Sequence, residues 1–276
     1  MDLPTNPDPK FNKAQLNAWK AMMQLLRDPA EADRRYDALA DSAHGRIIST
    51  DLARFLDDRY AKPPRKGRTR DLAPGWDLAW RYAQDRFERE LRSRGKRKVV
   101  RFMAGGWAAG KTHALEHMPT PELAWDGTLR DTDWAADMID LALAKGWHVV
   151  IAYVFRDLEL AFYGAMERAG AEGRMVPLAE LPGMHRAAQK SILDLTAAYL
   201  KEERVAFVLL HNLGTEKVRC RPWKISRKDL DAAGGLHYTA AHESYYVQAA
   251  SQIGEAAASS DEGYWAASEP HPELEP

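Results

Sequence analysis

Residues 99–112 carry the densest chemistry in the chain. A short apolar run, Val99-Val100-Arg101-Phe102-Met103, leads into Ala104-Gly105-Gly106-Trp107-Ala108-Ala109-Gly110-Lys111-Thr112. Gly105, Gly110, Lys111 and Thr112 complete the Gly-x-x-x-x-Gly-Lys-[Ser/Thr] spacing, with a strand-like stretch before it and helix formers after it. Polyphosphate demands these residue types: backbone N–H groups must wrap it, which small residues permit, and the positive end of a helix must face it. Lys111 then supplies a mobile cation for the terminal phosphates, and the Thr112 hydroxyl a ligand for Mg²⁺. The nucleotide cradle is therefore expected at Gly105, Gly106, Trp107, Ala108, Ala109, Gly110, Lys111 and Thr112. Trp107 is bulky where small residues are usual, and packing on a neighbour is expected of it more than a lid over the nucleotide.

Two carboxylates stand out near strand ends. Leu123-Ala124-Trp125-Asp126 reads as a strand closed by an acid, the second acidic element that orders a Mg²⁺ shell beside such a loop. Asp51 follows the apolar pair Ile47-Ile48 and precedes a helix with Leu52, Phe55 and Leu56 on its face. On the residues alone Ser49, Thr50 or Asp51 can be the N-cap of that helix, which puts Asp51 at the carboxyl end of a short strand.

Elements able to position these groups recur along the chain. Leu16, Trp19, Met22, Met23 and Leu26 repeat at helical spacing, and a second helix is expected over about 30–43. A helix is expected over 74–94, another over 132–145 closed by Gly146, and a third from His185 to about Glu202. Unbroken apolar runs at 147–155 and 205–210 read as central parallel strands. The alternation predicts an α/β fold, a P-loop kinase-like parallel sheet flanked by helices with an N-terminal helical extension, and ligands at the strand carboxyl ends. The boundaries expected are 1–44 for the extension, 45–225 for the core (a strand-helix unit at 45–95, the nucleotide-binding part at 97–212), and 226–276 for a tyrosine-bearing helix and mobile tail.

Composition narrows the function classes. The 276 residues can bury a substantial core, and the formal net charge of -1 supplies no global field toward nucleic acid or membrane. The lone Cys220 has no partner for an intrachain disulfide or a thiolate metal site, which fits a reducing compartment. The N-terminus lacks a basic head and apolar segment, and no apolar run approaches membrane-spanning length. Basic clusters at 62–70 and 92–101 read first as solvated surface and second as a collar for a phosphate-rich substrate.

In their combined order, Gly105 to Thr112, Asp126-Gly127-Thr128-Leu129-Arg130, the 147–155 strand, and Arg168 with Gly173-Arg174-Met175-Val176-Pro177 resemble the zeta toxin family of P-loop kinases over about 97–212. That resemblance implies transfer of the ATP or GTP γ-phosphate, with Mg²⁺, to the sugar of a nucleotide-sugar such as UDP-N-acetylglucosamine. It implies that Lys111 and Thr112 take the phosphate and metal roles, and that Asp126 replaces the glutamate opening the family's Glu-Gly-Thr motif. Arg130 matches its arginine, and Arg168 and Arg174 match lid arginines that neutralise the transferring phosphoryl group. In the family the catalytic Asp sits on a strand-helix unit between the P-loop helix and that motif. Here Lys111 and Asp126 are too close together to admit it.

Residues 47–60 and the 74–94 helix resemble the missing unit, so a permuted order is expected, with Asp51 as catalytic base and Arg54, Asp126 and Arg130 toward the acceptor. The resemblance implies action in a cytosol, that of the producing bacterium or of a target cell. It leaves open an antitoxin or immunity protein as partner. NAD, another nucleotide or a polynucleotide end are alternative acceptors, and a nucleotide-gated binding module with slow ATP hydrolysis is the alternative from a different class.

Overall fold

A computed structural model describes residues 3–61, 74–93, 98–116, 118–119, 121–172, 176–212 and 218–223. Helix α1 (Lys13–Leu26) starts at a reciprocal cap. Asn12 Oδ1 accepts the Gln15 N–H at 3.0 Å while Gln15 Oε1 accepts the Asn12 N–H at 2.9 Å. Its Ala18, Met22, Met23 and Leu26 are buried. Helix α2 (Pro29–Asp37) begins behind Asp28, whose carboxylate caps the Glu31 N–H, and is shorter than the 30–43 expected. The chain has to turn back into the sheet, which it does through a 3₁₀ turn at Ala40–Ser42 and a positive φ at Ala43, His44 and Gly45.

Next along the chain are β1 (Ile47–Ile48), α3 (Thr50–Ala53), a 3₁₀ turn (Arg54–Leu56), α4 (Asp58–Ala61) and α5 (Pro74–Ser93). Then come β2 (Val99–Ala104), α6 (Lys111–Glu116), β3 (Leu123–Asp126), α7 (Thr132–Ala144), β4 (His148–Arg156) and α8 (Leu158–Glu172). The last are α9 (Leu181–Tyr199), β5 (Val205–Asn212) and β6 (Val218–Trp223). The strands form one sheet in the order β1-β3-β2-β4-β5-β6. All pairings from β1 to β5 are parallel, as expected, and β6 adds an antiparallel edge on β5 that periodicity did not reveal.

Both faces of the sheet are covered, which is why its strands read as continuous apolar runs. Val100, Phe102, Trp125, Ile151, Tyr153 and Phe207 lie in one cluster with residues of α1, α2, α5, α7 and α9. Met103, Ala124, Ala152, Val154 and Leu210 lie in another with Ala114 and Leu115 of α6. The alternation of neighbours such as Phe102 and Met103 is the pleat of the strand. Helix α9 starts four residues earlier than expected, since a 3₁₀ turn at Leu178–Glu180 leads into it and Pro182 is tolerated in its first turn. The tyrosine-bearing helix expected after 226 lies outside the described residues.

The N-terminal helices share the main core and are also locked to α5 by polar contacts. Arg86, 2 % exposed, donates to Asp37 Oδ1 at 2.7 Å and to the Asp33 carbonyl at 3.1 Å. The Tyr82 hydroxyl accepts from Arg86 at 3.1 Å and donates to Asp33 Oδ1 at 2.9 Å, and Arg89 pairs with Asp33 at 2.8 Å. Burial raises the Tyr82 hydroxyl far above its usual range, so it stays protonated and able to donate.

Candidate nucleotide-binding and catalytic site

Strand β2 lies at the point where the connections diverge, with β3 on one side and β4 on the other, so the loop leaving its carboxyl end opens into the crevice where α/β folds bind ligands. That loop is 105–110. Its carbonyls are held one after another. Lys111 Nζ donates to Gly105 O at 3.0 Å and Gly106 O at 2.8 Å. His185 Nε2 lies 2.7 Å from Trp107 O, Arg156 donates to Ala108 O at 2.9 Å, and Asn212 Nδ2 donates to Ala109 O at 2.9 Å. Each trans peptide turns the following N–H to the opposite side, the disposition a polyphosphate cradle uses. The Ala109 N–H also makes a 3.3 Å bond to Gly106 O.

The glycines answer to this packing. Gly105 has φ +141°, and a Cβ there would stand 2.6 Å from the Val154 carbonyl oxygen. A Cβ on Gly106 would overlap the His185 ring, and one on Gly110, at φ +85°, the Asn212 amide. Trp107 is 8 % exposed and packs with Leu158, Phe162, Leu178, Leu181 and Met184, so its ring has the packing role expected of it.

Three of the four carbonyl-holding side chains escaped the sequence reading. His185 stands on α9, Arg156 ends β4 and Asn212 ends β5. His185 is buried, and desolvation pushes its pKa down to about 4, aided by the charges of Lys111 and Arg156 and opposed by its bond to Trp107 O. It is therefore neutral near pH 7, with the proton on Nε2 because a carbonyl is its acceptor. Only Asn212 had a signal in the sequence, its place at the end of an apolar strand.

Thr112, in the first turn of α6, donates its hydroxyl to Asp126 Oδ2 at 3.1 Å. Asp126 ends β3, beside β2 in register Met103 to Asp126, so the parallel pairing delivers the acid to the loop. Hydroxyl plus carboxylate is a hard-oxygen pair suited to Mg²⁺, which keeps its remaining positions for water and phosphate. Among the described residues no group of three or more His, Cys, Asp or Glu could hold a metal ion. Beyond β3, Gly105 N donates to Thr128 O at 3.1 Å, Leu129 takes a left-handed φ of 54°, and the Arg130 guanidinium lies 3.3 Å from Met184 Sδ on α9.

On the outer side of β3, β1 pairs parallel with Ile48 opposite Trp125, so the turn after β1 issues from the same edge as Asp126. Ser49 caps α3, its Oγ accepting the Asp51 N–H at 3.2 Å. Asp51 is thus in the first turn of the helix instead of at its cap. Its carboxylate is 42 % exposed and pairs with the buried Arg54 at 3.1 Å. Arg54, 3 % exposed, lies over the Trp76 ring at 4.0 Å, a placement that orients Asp51 more directly than it meets a substrate.

Arg168 is half-buried on α8, close enough to Arg156 to depress the latter's pKa, after burial as the main cause. Arg174 and the 62–70 basic run lie outside the described residues. Of the 92–101 cluster, Arg92 is exposed and pairs with Glu88, while Arg101 is buried and donates to Pro119 O at 3.0 Å, so Arg101 does not belong to an open cationic collar.

The model of the zeta toxin family, described as "Zeta toxin", matches residues 122–217, the part running from β3 to the end of β5 and just beyond. No curated protein matches the chain. No helix among the described residues is long and apolar enough to cross a membrane.

Proposed function

We propose, from the match of residues 122–217 to the zeta toxin family model and the P-loop kinase-like sheet, that the chain transfers the γ-phosphate of ATP or GTP to a hydroxyl of a small molecule, a nucleotide-sugar or nucleotide before others. One observation carries the reading: β1 lies parallel beside β3, so Asp51 and Asp126 issue from one carboxyl edge, next to a loop whose carbonyls are turned into side-chain donors. The resemblance puts the family's acid-bearing unit after its P-loop helix; the proposed counterpart precedes the loop, a reading supported by the parallel pairing of β1 on the outer side of β3.

In this reading Lys111 exchanges the Gly105 and Gly106 carbonyls for terminal phosphate oxygens, and the N–H groups of 106–110 wrap the polyphosphate. Thr112 and Asp126 hold Mg²⁺, which when bound screens the phosphate charge. Arg168 and Arg174 neutralise charge on the transferring group, and Arg130 faces the acceptor. Asp51 takes the acceptor's hydroxyl proton as that oxygen bonds to the γ-phosphorus and the bond to the β–γ bridging oxygen breaks, releasing the nucleoside diphosphate. Positioning and electrostatics supply most of the acceleration in such a step.

Incubation of the protein with γ-labelled ATP, Mg²⁺ and a metabolite extract tests the assignment. A labelled phosphomonoester of a small molecule is expected. Label recovered only as inorganic phosphate, whatever metabolites are supplied, overturns it in favour of a nucleotide-gated module.

A further inference from the structure

Strand β1 is a two-residue edge strand, and such a strand has few bonds with which to fix the turn after it. On its inner side Arg46 O accepts the Ala124 N–H at 2.7 Å. Alternation along the strand then turns Ile47 C=O and Ser49 N–H away from β3, toward the space a further strand would fill. The Tyr36 hydroxyl occupies that place. It accepts the Ser49 N–H at 2.9 Å and donates to Ile47 O at 3.0 Å. One phenol thus closes both polar groups flanking Ile48, immediately before the turn that carries Asp51.

The chain of contacts continues to the carboxylate. Ser49, 3 % exposed, caps α3 through the Asp51 N–H. Tyr36 is fully buried on α2, beneath the Arg86 guanidinium at 5.3 Å, and the Arg86 pairs with Asp33 and Asp37 tie that helix to α5. Burial raises the phenol far above its usual range, so it keeps the proton it donates to Ile47 O. Arg54 fixes the Asp51 carboxylate from the other end.

We propose that Tyr36 is a positioning residue for Asp51, which makes α2 a working part of the catalytic site instead of an appendage to it; the proposal rests on the reading of Asp51 as the base. A hydroxyl that holds only the main chain of the β1–α3 turn affects the placement of Asp51 and leaves the P-loop, two strands away, as it is. Tyr36→Phe is expected to lower the transfer rate by about 10- to 100-fold, the scale of an ångström-level misplacement.

The test uses the full chain, γ-labelled ATP with a metabolite extract for transfer, and a fluorescent ATP analogue for nucleotide affinity. Each variant is assayed well below its own melting temperature, so that loss of folded protein does not enter. Expected are slowed transfer with unchanged analogue affinity for Tyr36→Phe, the same split to a smaller degree for Ser49→Ala, and no transfer for Asp51→Asn. If Asp51→Asn is inactive and folded Tyr36→Phe transfers at the wild-type rate, the positioning role is wrong while the kinase reading stands. Equal loss of transfer and analogue affinity in Tyr36→Phe also overturns it, as a general structural effect. Full transfer by Asp51→Asn removes the base assignment and this proposal with it.

Discussion

His185 Nε2 stands 2.7 Å from the Trp107 carbonyl oxygen, and the His185 ring fills the space that a side chain at Gly106 would need. A helix ending far from the P-loop in sequence thereby holds the middle of the loop. His185→Leu leaves that buried carbonyl without its side-chain donor, at a cost of about 1–3 kcal/mol. Affinity for a fluorescent ATP analogue is expected to fall about tenfold, 1.4 kcal/mol being one decade. His185→Gln, which can donate from a similar reach, is expected to recover part of it. Unchanged affinity in the Leu variant would show that the loop holds its shape without this bond.

The same residue gives a pH dependence with a defined sign. Its folded pKa of about 4 lies below the ordinary 6.5, so the unfolded chain binds the proton first as pH falls. The contribution is complete above about pH 6.5, is lost between 6.5 and 4, and is level below that, amounting to about 3 kcal/mol. Urea unfolding at pH 7 and pH 4.5 is expected to show a larger acid loss for wild type than for His185→Gln. Parallel pH curves for the two proteins would contradict it.

The Thr112–Asp126 pair makes Mg²⁺ dependence the readout for that corner of the site. Thr112→Val and Asp126→Asn are each expected to raise the Mg²⁺ concentration needed for half-maximal transfer by about 10- to 100-fold, the range seen when groups around a metal are lost. A Mg²⁺ titration that superimposes on wild type would remove these residues from the metal shell.

Arg86 is the keystone between α2 and α5, and its loss removes the guanidinium paired with Asp37 and one of the partners of Asp33, which keeps Arg89 and Tyr82. Arg86→Met is expected to cost about 3 kcal/mol in urea unfolding, at the lower end for a buried pair because both carboxylates reach solvent. A cost below about 0.5 kcal/mol, the scale of an ordinary surface change, would mean that apolar packing alone seats the N-terminal helices.

What was legible in the sequence was what repeats locally. The glycine spacing and the strand-helix context located 105–112, and the apolar runs located β4 and β5, because both signals lie within a few consecutive residues. The short strand Ile47–Ile48 and the helical turn after it were legible from an apolar pair and an apolar face, whereas the proposal that they carry the base came only through family resemblance. His185 and Arg156 were not legible: a histidine in a helix and an arginine at a strand end become ligands of the loop carbonyls only through the packing of α9 and β4 around β2. Tyr36 escaped for the same reason, because its partners Ile47 and Ser49 lie across a turn whose left-handed residues no motif announces.

The measurement closest to the central claim is label transfer from γ-labelled ATP by wild type, Lys111→Ala and Asp51→Ala, run beside binding of a fluorescent ATP analogue. Lys111→Ala is expected to lose transfer and to bind the analogue weakly. Asp51→Ala is expected to bind the analogue as wild type does and to transfer no label. Folded Asp51→Ala that phosphorylates the acceptor at the wild-type rate would contradict the account.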